Sequence, residues 1–318
     1  VTLGLIISEK LHRTVAAMAG ASALLLLHIF TPSQALSYVD FNTLGVLMGM
    51  MMIISIVKKT GVFEYLAIVS AKKAKGDPWR ILLFLSAVTA LISALLDNVT
   101  TVLLIVPMTF VITKKLNVNP IPFLIPEILA SNIGGTATLI GDPPNIMIGS
   151  RAGLSFMDFI QNLGPIILLV FIAVFAALWL IYHKKLKTDE ESKQKIFELD
   201  EKVCIKDRPL LIKCCGVLGL VVLGFILHDK LNFTNGLIAI AGATLLVLLS
   251  RSDIEDALLS IEWPTIFFFA SLFVLVGALE EVGLIKTLAG MITGLVKGNL
   301  LLAGILLLWF SALVSAFL

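Results

Sequence analysis

Residues 131–145, which read SNIGGTATLIGDPPN, constrain the fold more than any other part of this chain. The stretch cannot form one continuous helix, because Gly134-Gly135 weakens a helix and Pro143-Pro144 cannot extend one. Broken, polar backbone at membrane depth is tolerated only where protein covers it or where it lines a water-filled cavity. The stretch therefore predicts a broken membrane helix at a transporter binding site, with a loop at the membrane surface as the alternative.

Composition places the chain in the membrane. Of its 318 residues, 58% are hydrophobic and only 14% are charged, whereas a soluble domain carries about 25% charged residues. We therefore expect an all-α polytopic membrane protein whose main partner is the lipid bilayer. The net charge of +2 is too small to indicate a nucleic-acid partner.

Other function classes find no support in the sequence. Cys204, Cys214 and Cys215 form no C-x-x-C pair and no metal-site spacing, so we expect them to be reduced and structural. Val1 opens directly into an apolar run with no basic residue before it, so we expect no cleavable signal peptide. A phosphate-binding G-x-x-x-x-G-K-[ST] loop is missing, so the sequence predicts neither ATP use nor an enzyme.

Apolar runs give the predicted membrane topology. Full spans are predicted at residues 14–30, 41–57, 163–182, 210–228, 234–249, 263–279 and 299–318. Residues 61–75 and 281–297 mix apolar and charged positions, so they are predicted to lie at the membrane interface. Residues 183–208 hold eight Lys/Arg and seven Asp/Glu, and they are predicted to form a cytoplasmic loop because basic residues mark the cytoplasmic side.

Residues 81–113 differ from these spans, because Asp97-Asn98 divides them into two apolar arms. Each arm is shorter than the roughly 20 residues that a full span needs. Basic residues flank both outer ends. We therefore predict a re-entrant helical hairpin that enters and leaves on one side, followed by a broken helix over residues 121–148 that crosses once.

An internal repeat relates the two halves of the chain. A shift of 222 residues lays 236–318 on 14–96 without a gap. We infer a first repeat at 1–182, the loop 183–208, and a second, inverted repeat at 209–318 that stops before its own hairpin tip. By this symmetry about 90 further residues are expected to complete it. The matched residues include Gly20/Gly242, Thr43/Thr265, Gly61/Gly283, Lys75/Lys297, Gly76/Gly298, Ser93/Ser315, Ala94/Ala316 and Leu96/Leu318.

The hairpin tip and the broken helix supply the candidate binding residues. A carboxylate at membrane depth, such as that of Asp97, is a functional candidate by default, although it could also serve as a helix N-cap. Asp142-Pro143 follows the same logic, so two half-helices would begin here with bare N–H groups. The predicted site residues are Asp97, Asn98, Thr100, Asn132, Gly134, Gly135, Thr136, Thr138, Gly141, Asp142, Pro143 and Asn145.

The charged groups predicted at this site favour ligands of opposite sign. Helix N-termini favour an anion, whereas two carboxylates favour a cation, a proton, or a neutral ligand coupled to one. We expect no cofactor and no resident metal. A coupling ion, either H⁺ or Na⁺, is expected, with Na⁺ placed near Asp97, Asn98 and Asp142.

Three segments also carry a family resemblance. DNVTTVLLIVPMT (97–109), SNIGGTATLIGDPPNIMIG (131–149) and VDFNTLGVLMGMMMIISIVKKTGVFEYLA (39–67) resemble the ion transporter superfamily. The similar branch is citrate-transporter-like and includes arsenite permeases, NhaD-type Na⁺/H⁺ antiporters and P-protein relatives. The resemblance implies a homodimeric inverted-repeat carrier with two re-entrant hairpins and an elevator motion. Dicarboxylate carriers of the superfamily have a Ser-Asn-Thr tip, where this chain has Asp-Asn-Val-Thr.

These observations favour an ion-coupled secondary transporter in the cell (plasma or inner) membrane, carrying arsenite or exchanging Na⁺ for H⁺. A Na⁺-coupled citrate or dicarboxylate carrier is the alternative, and a channel is a further option. An intramembrane aspartyl protease would need Tyr-Asp and Gly-x-Gly-Asp motifs. Here Leu96 precedes Asp97, and the second motif reads Leu139-Ile140-Gly141-Asp142.

Overall fold

The computed structural model describes residues 2–7, 10–296 and 299–315, and the regular structure within these ranges is entirely helical. Five of the described helices are long and apolar enough to cross a membrane. This confirms the prediction of an all-α polytopic membrane protein. The five are Phe41–Lys59, Asn98–Lys115, Phe156–Tyr182, Arg208–His228 within a longer helix, and Trp263–Glu281.

Eighteen helices follow one another within the described ranges. In chain order they are α1 (Thr2–Ile7), α2 (Arg13–Leu26), α3 (Pro32–Tyr38), α4 (Phe41–Lys59), α5 (Val62–Lys73), α6 (Pro78–Ser93), α7 (Asn98–Lys115), α8 (Ile121–Thr136), α9 (Pro143–Ala152), α10 (Phe156–Tyr182), α11 (Glu190–Lys195), α12 (Glu201–Cys204), α13 (Arg208–Leu231), α14 (Asn235–Ser250), α15 (Ile254–Leu259), α16 (Trp263–Glu281), α17 (Leu284–Val296) and α18 (Leu300–Ser315).

Helix α10 shows why the predicted boundaries differ from the observed ones. Its span was predicted from residue 163, but the helix begins at Phe156. The Ser155 hydroxyl accepts a hydrogen bond from the Asp158 N–H, and the Asp158 carboxylate accepts one from the Ser155 N–H, at 3.1 and 2.8 Å. This capping box starts the helix seven residues earlier than hydropathy alone suggests.

The described residues form two compact units. The first combines Val1–Leu44 with Glu262–Leu318. In it α2 packs on α16, and the Thr14 hydroxyl donates a hydrogen bond to the Pro264 carbonyl at 3.0 Å. The Arg13 guanidinium lies 5.3 Å from the centre of the Phe268 ring, within the range of a cation–π contact.

The second unit, Gly45–Ile261, contains the predicted hairpin and broken helix. Its core lies where α5, α6, α7 and α8 meet, around fully buried Leu85, Ile112 and Phe123. Elsewhere in the unit α4 packs closely on α14. A Cβ added at Gly45 would lie 3.0 Å from the Gly236 Cα, so glycine permits this approach of two backbones. The units group residues by packing and the predicted domains follow the repeat, so the two divisions describe different properties.

The helices of the two repeated segments begin at matching positions. Five pairs of first residues are each 222 positions apart: Arg13 and Asn235, Pro32 and Ile254, Phe41 and Trp263, Val62 and Leu284, and Pro78 and Leu300. Gly61 and Gly283 both follow the third helix of their copy with positive φ, 78° and 73°. The matches at Lys297, Gly298, Ala316 and Leu318 lie outside the described residues, and the inverted orientation of the second copy stays a prediction.

Residues 186–206, which we call the charged segment, pack against both ends of the α6–α7 hairpin. At the start of the hairpin, a Cβ on Gly76 would lie 2.8 Å from the Cβ of Lys193. At its end, the Thr188 hydroxyl donates a hydrogen bond to the Leu116 carbonyl at 2.7 Å. The predicted polar loop is therefore a packed element with two short helices, and it brings the outer ends of the two arms to one place.

The hairpin makes a labelling prediction. In a background without native cysteines, Arg80→Cys and Lys115→Cys should react with an impermeant thiol reagent from the same face of the membrane, because both ends of the hairpin meet the charged segment. Reaction rates would be compared in intact cells and in inside-out vesicles. Gly153→Cys, in the turn after α9, is the control for labelling from the opposite face, because the broken helix is predicted to cross once. Labelling of positions 80 and 115 from opposite faces would contradict the re-entrant hairpin.

Candidate functional site

The hairpin tip is the four-residue connection between Ser93, which ends α6, and Asn98, which begins α7. Asp97 is the N-cap of α7, and its Oδ1 accepts a hydrogen bond from the Thr100 N–H at 2.8 Å. The Asn98 Oδ1 accepts one from the Val99 N–H at 3.0 Å. The tip thus satisfies first-turn amides of α7 with its own side chains, as an N-cap does.

The break in the broken helix lies after Gly134-Gly135. Helix α8 continues through Gly134 and Gly135 to Thr136, and the non-helical stretch lies between Ala137 and Asp142. The break predicted within residues 131–145 is therefore confirmed, and tight packing of Gly134 on α6 keeps the glycine pair helical. The Asn145 side-chain amide lies within hydrogen-bond distance of the carbonyls of Gly135, Thr136 and Thr138, at 3.3, 3.4 and 2.9 Å. The Asn145 side-chain amide therefore donates to carbonyl groups at the end of α8 that would otherwise have no hydrogen-bond partner.

Asp142 holds the N-cap position of α9, with Pro143 as the first helical residue, but its side chain accepts no capping hydrogen bond. Pro143 and Pro144 have no N–H to donate. The next amide, that of Asn145, donates to the backbone carbonyl of Asp142 at 3.0 Å. The expectation of bare N–H groups at this helix start is therefore not met, and the Asp142 carboxylate is left available for another partner.

Hydrogen bonds hold the tip against the broken helix. The Asn98 side-chain amide donates to the Asn132 Oδ1 at 2.7 Å. The Ser93 hydroxyl donates to the Ser131 carbonyl at 2.7 Å, and the Thr138 hydroxyl donates to the Ala94 carbonyl. The two interruptions predicted from the sequence therefore lie side by side.

The three predicted glycines face neighbouring backbone. A Cβ on Gly134 would lie 2.1 Å from the Ala90 carbonyl oxygen, and one on Gly141 would lie 2.5 Å from the Gly135 carbonyl oxygen. Close packing of α6, α8 and the break accounts for glycine at these positions, independently of any approach to a ligand.

The electrostatics of the site come from two carboxylates. Asp97 and Asp142 are both half-buried and lie close enough to interact electrostatically. Of the other predicted residues, Thr136 donates its hydroxyl to the Asn132 carbonyl of its own helix at 2.8 Å, and Asn132 is exposed. The predicted site residues include two carboxylates and no basic side chain, an arrangement that suits a cation.

One functional candidate, Glu127 in the middle of α8, was missed from the sequence. Its side chain is 1% exposed, and its Oε1 lies 2.6 Å from the Thr109 hydroxyl. The signal was a single charged residue within the apolar run 121–130, because an ionisable residue inside a membrane segment is a functional candidate by default.

Comparison with known proteins decides the family. Residues 3–318 match the family model described as Citrate transporter. The chain belongs to the citrate transporter family. This confirms the superfamily resemblance carried by residues 97–109 and 131–149.

Relatives of this citrate transporter family member carry transporter or membrane-protein names. An uncharacterized transporter of Mycobacterium bovis is 43% identical over 98% of this chain and 73% of its own length. A 46 kDa membrane protein of Mycobacterium leprae is 45% identical over 99% of this chain and 75% of its own length. The human P protein is 33% identical over 98% of this chain and 47% of its own length. Family and relatives together indicate a membrane transporter.

Proposed function

We propose that this chain is an ion-coupled secondary transporter whose cation site is formed by Asp97 and Asp142. The observation that carries the proposal is the packing of the hairpin tip, which ends at Asp97, against the break that ends at Asp142: the Thr138 hydroxyl of the break donates to the Ala94 carbonyl of the tip. Two negative charges at one partly buried place repel each other, and a bound Na⁺ or proton would relieve that repulsion. The cargo is accordingly a small inorganic ion or oxyacid, either Na⁺ exchanged for H⁺ or arsenite.

The hydrogen bonding around the carboxylates supports a cation over a free anion. The Val99 and Thr100 amides of α7 already donate to the tip, and the first two residues of α9 are prolines. Anion sites at helix starts depend on free N–H groups, and few are left here. Because so few free N–H groups remain, a bare di- or tricarboxylate is a poor match to the site.

The second candidate is a Na⁺-coupled citrate or dicarboxylate carrier, which the description of the matching family favours. In this version Asp97, Asn98 and Asp142 hold the coupling Na⁺, and the carboxylate substrate binds beside it. Both candidates place the protein in the cell (plasma or inner) membrane as a homodimer that works by alternating access between inverted repeats.

Transport by the full-length protein in proteoliposomes separates the candidates. Na⁺, arsenite and citrate would each be offered, with and without an imposed pH gradient, alongside protein-free liposomes. We expect Na⁺ or arsenite to accumulate in a manner that depends on the gradient. Citrate uptake that requires Na⁺ would favour the second candidate, and gradient-independent leakage of all three probes would overturn the proposal.

A further inference from the structure

Glu127 occupies the most enclosed position of any carboxyl group among the residues that the structure describes. It lies at the middle of α8, where α6, α7 and α10 pack against that helix. Its Oε2 is buried and has no hydrogen-bond partner. An ionised oxygen left in this state is costly, whereas an unpaired oxygen of a neutral carboxyl group costs much less.

The Thr109 hydroxyl indicates where a proton would sit. Its oxygen lies 2.6 Å from Glu127 Oε1 and 3.4 Å from the Ile105 carbonyl oxygen. A hydroxyl has one hydrogen, so Thr109 can donate to only one of these acceptors. If Glu127 carries a proton on Oε1, the carboxyl donates to Thr109 and Thr109 donates to Ile105, so both contacts become hydrogen bonds.

Among the described residues, no Lys, Arg or His forms an ion pair with Glu127. Its carboxyl group is buried and has Thr109 as its hydrogen-bond partner. The charged residues of the three helices that pack on α8 all lie in a first or last helical turn: Arg80, Lys114, Lys115 and Asp158. Buried ionised groups need a paired charge or a full set of hydrogen bonds, and Glu127 has neither.

The position of Glu127 connects it with the proposed site. One turn further along α8, the Ser131 carbonyl accepts the hydrogen bond from Ser93, and Asn132 bonds with Asn98 of the tip. Five residues separate Glu127 from Asn132, which is about 7.5 Å along a helix. A change in the charge of Glu127 therefore acts on the helix that holds the tip.

We propose that Glu127 is a proton-binding residue of this carrier, neutral in the conformation described here and ionised at another stage of the transport cycle. The proton comes from water on one side of the membrane, is held on the carboxyl group, and returns to water on the other side. This inference rests on the proposed transport function and names H⁺ as a coupling ion.

Infrared difference spectroscopy tests the proton directly, without any substrate. The carbonyl stretch of a protonated carboxyl group is distinct from the stretches of a carboxylate. In protein reconstituted at neutral pH, we expect this band in the wild type and in Glu64→Gln, and its loss in Glu127→Gln. Glu64 is the matched control, because it also has a buried, unpaired Oε2 but the residue as a whole is only half-buried, whereas Glu127 is 1% exposed. A band that persists in Glu127→Gln would overturn the inference.

Thr109→Val supplies a second variant in case Glu127→Gln does not fold. It leaves Glu127 in place and removes the hydroxyl at 2.6 Å. Loss of that hydrogen bond should move the protonated-carboxyl band to higher frequency. An unmoved band would show that the protonated group is not Glu127.

Proton flux distinguishes failure of this inference from failure of the proposed function. A pH-sensitive dye trapped in proteoliposomes would report H⁺ movement after addition of Na⁺, arsenite or citrate, one at a time. We expect H⁺ movement in the wild type and at least a tenfold slower rate in Glu127→Gln. If the wild type moves none of the probes, the proposed function fails. If the wild type and Glu127→Gln move H⁺ equally, only the role of Glu127 fails.

Discussion

Asp97→Asn should strongly reduce gradient-driven transport while leaving the protein folded. Asn keeps the capping oxygen that accepts from the Thr100 N–H, so the free energy of unfolding should change by no more than about 0.5 kcal/mol. The substitution removes one of the two carboxylates proposed to bind the cation. Losing a charged hydrogen-bonding ligand costs about 1.5–3 kcal/mol, which corresponds to a flux roughly 10- to 100-fold lower at limiting ion concentration.

The chain offers a matched control at the start of the same hairpin. Asp77 caps α6 as Asp97 caps α7, and its Oδ1 accepts from the Arg80 N–H, also at 2.8 Å. Asp77→Asn should therefore preserve both the cap and the flux. Asp97→Ala should lose flux and also about 1 kcal/mol of stability, because the cap is removed as well. Flux would be measured in vesicles under an imposed pH or Na⁺ gradient, with expression followed in parallel.

Wild-type flux in Asp97→Asn, with the same dependence on the gradient, would reduce Asp97 to a helix cap. The cation-binding role would then rest on Asp142, whose carboxylate caps nothing.

Gly134→Ala should strongly destabilise the core of the second unit. The added Cβ would lie 2.1 Å from the carbonyl oxygen of Ala90 and 2.6 Å from its carbonyl carbon. These are backbone atoms of α6 and cannot rotate away, so the two helices must separate. Overpacking typically costs about 1–3 kcal/mol, and we expect a loss near 3 kcal/mol here.

Gly164→Ala is the matched control for this substitution. Gly164 lies inside α10, and a Cβ there would meet nothing within 4 Å. Replacing an open helical glycine with alanine should leave stability unchanged or raise it by about 0.5–1 kcal/mol. Thermal unfolding of helicity in detergent measures both variants. Equal unfolding temperatures for Gly134→Ala and wild type would mean that α6 and α8 are not in close contact at Ala90.

The sequence predicted the larger features of this fold because their patterns are strong. Long apolar runs set the spans, and Asp97-Asn98 marked the division of the hairpin. Pro143-Pro144 marked the start of α9, since proline suits the first helical position. Each of these features depends on a few neighbouring residues, so a local reading of the chain is sufficient.

Features that depend on tertiary contacts were predicted less well. The sequence predicted a break within residues 131–145 but not its position, because packing of Gly134 on Ala90 keeps the glycine pair helical. The Asp142 carboxylate makes no capping hydrogen bond, because the backbone N–H of Asn145 donates to the Asp142 carbonyl instead. Residue types alone do not reveal this. Glu127 and Thr109 are 18 positions apart, so their pairing is visible only after α7 and α8 are brought together.

The charged segment determines where the chain can bend if the hairpin moves. It is tied to α5 by the Lys72–Glu201 ion pair, and to the turn before α5 by a hydrogen bond from the Lys206 N–H to the Thr60 carbonyl at 3.1 Å. Because it also contacts both hairpin ends, we expect it to move with them as one body. The hinges then fall just outside it, in the turn after Tyr182 and before Arg208.

Cys204 lies on that body, far along the chain from the tip, and would be a native attachment point for a fluorescent reporter of hairpin displacement. Burial raises the pKa of its thiol, and the carboxylates of Glu64, Asp200 and Glu201 raise it further, so attachment would proceed faster in alkaline buffer.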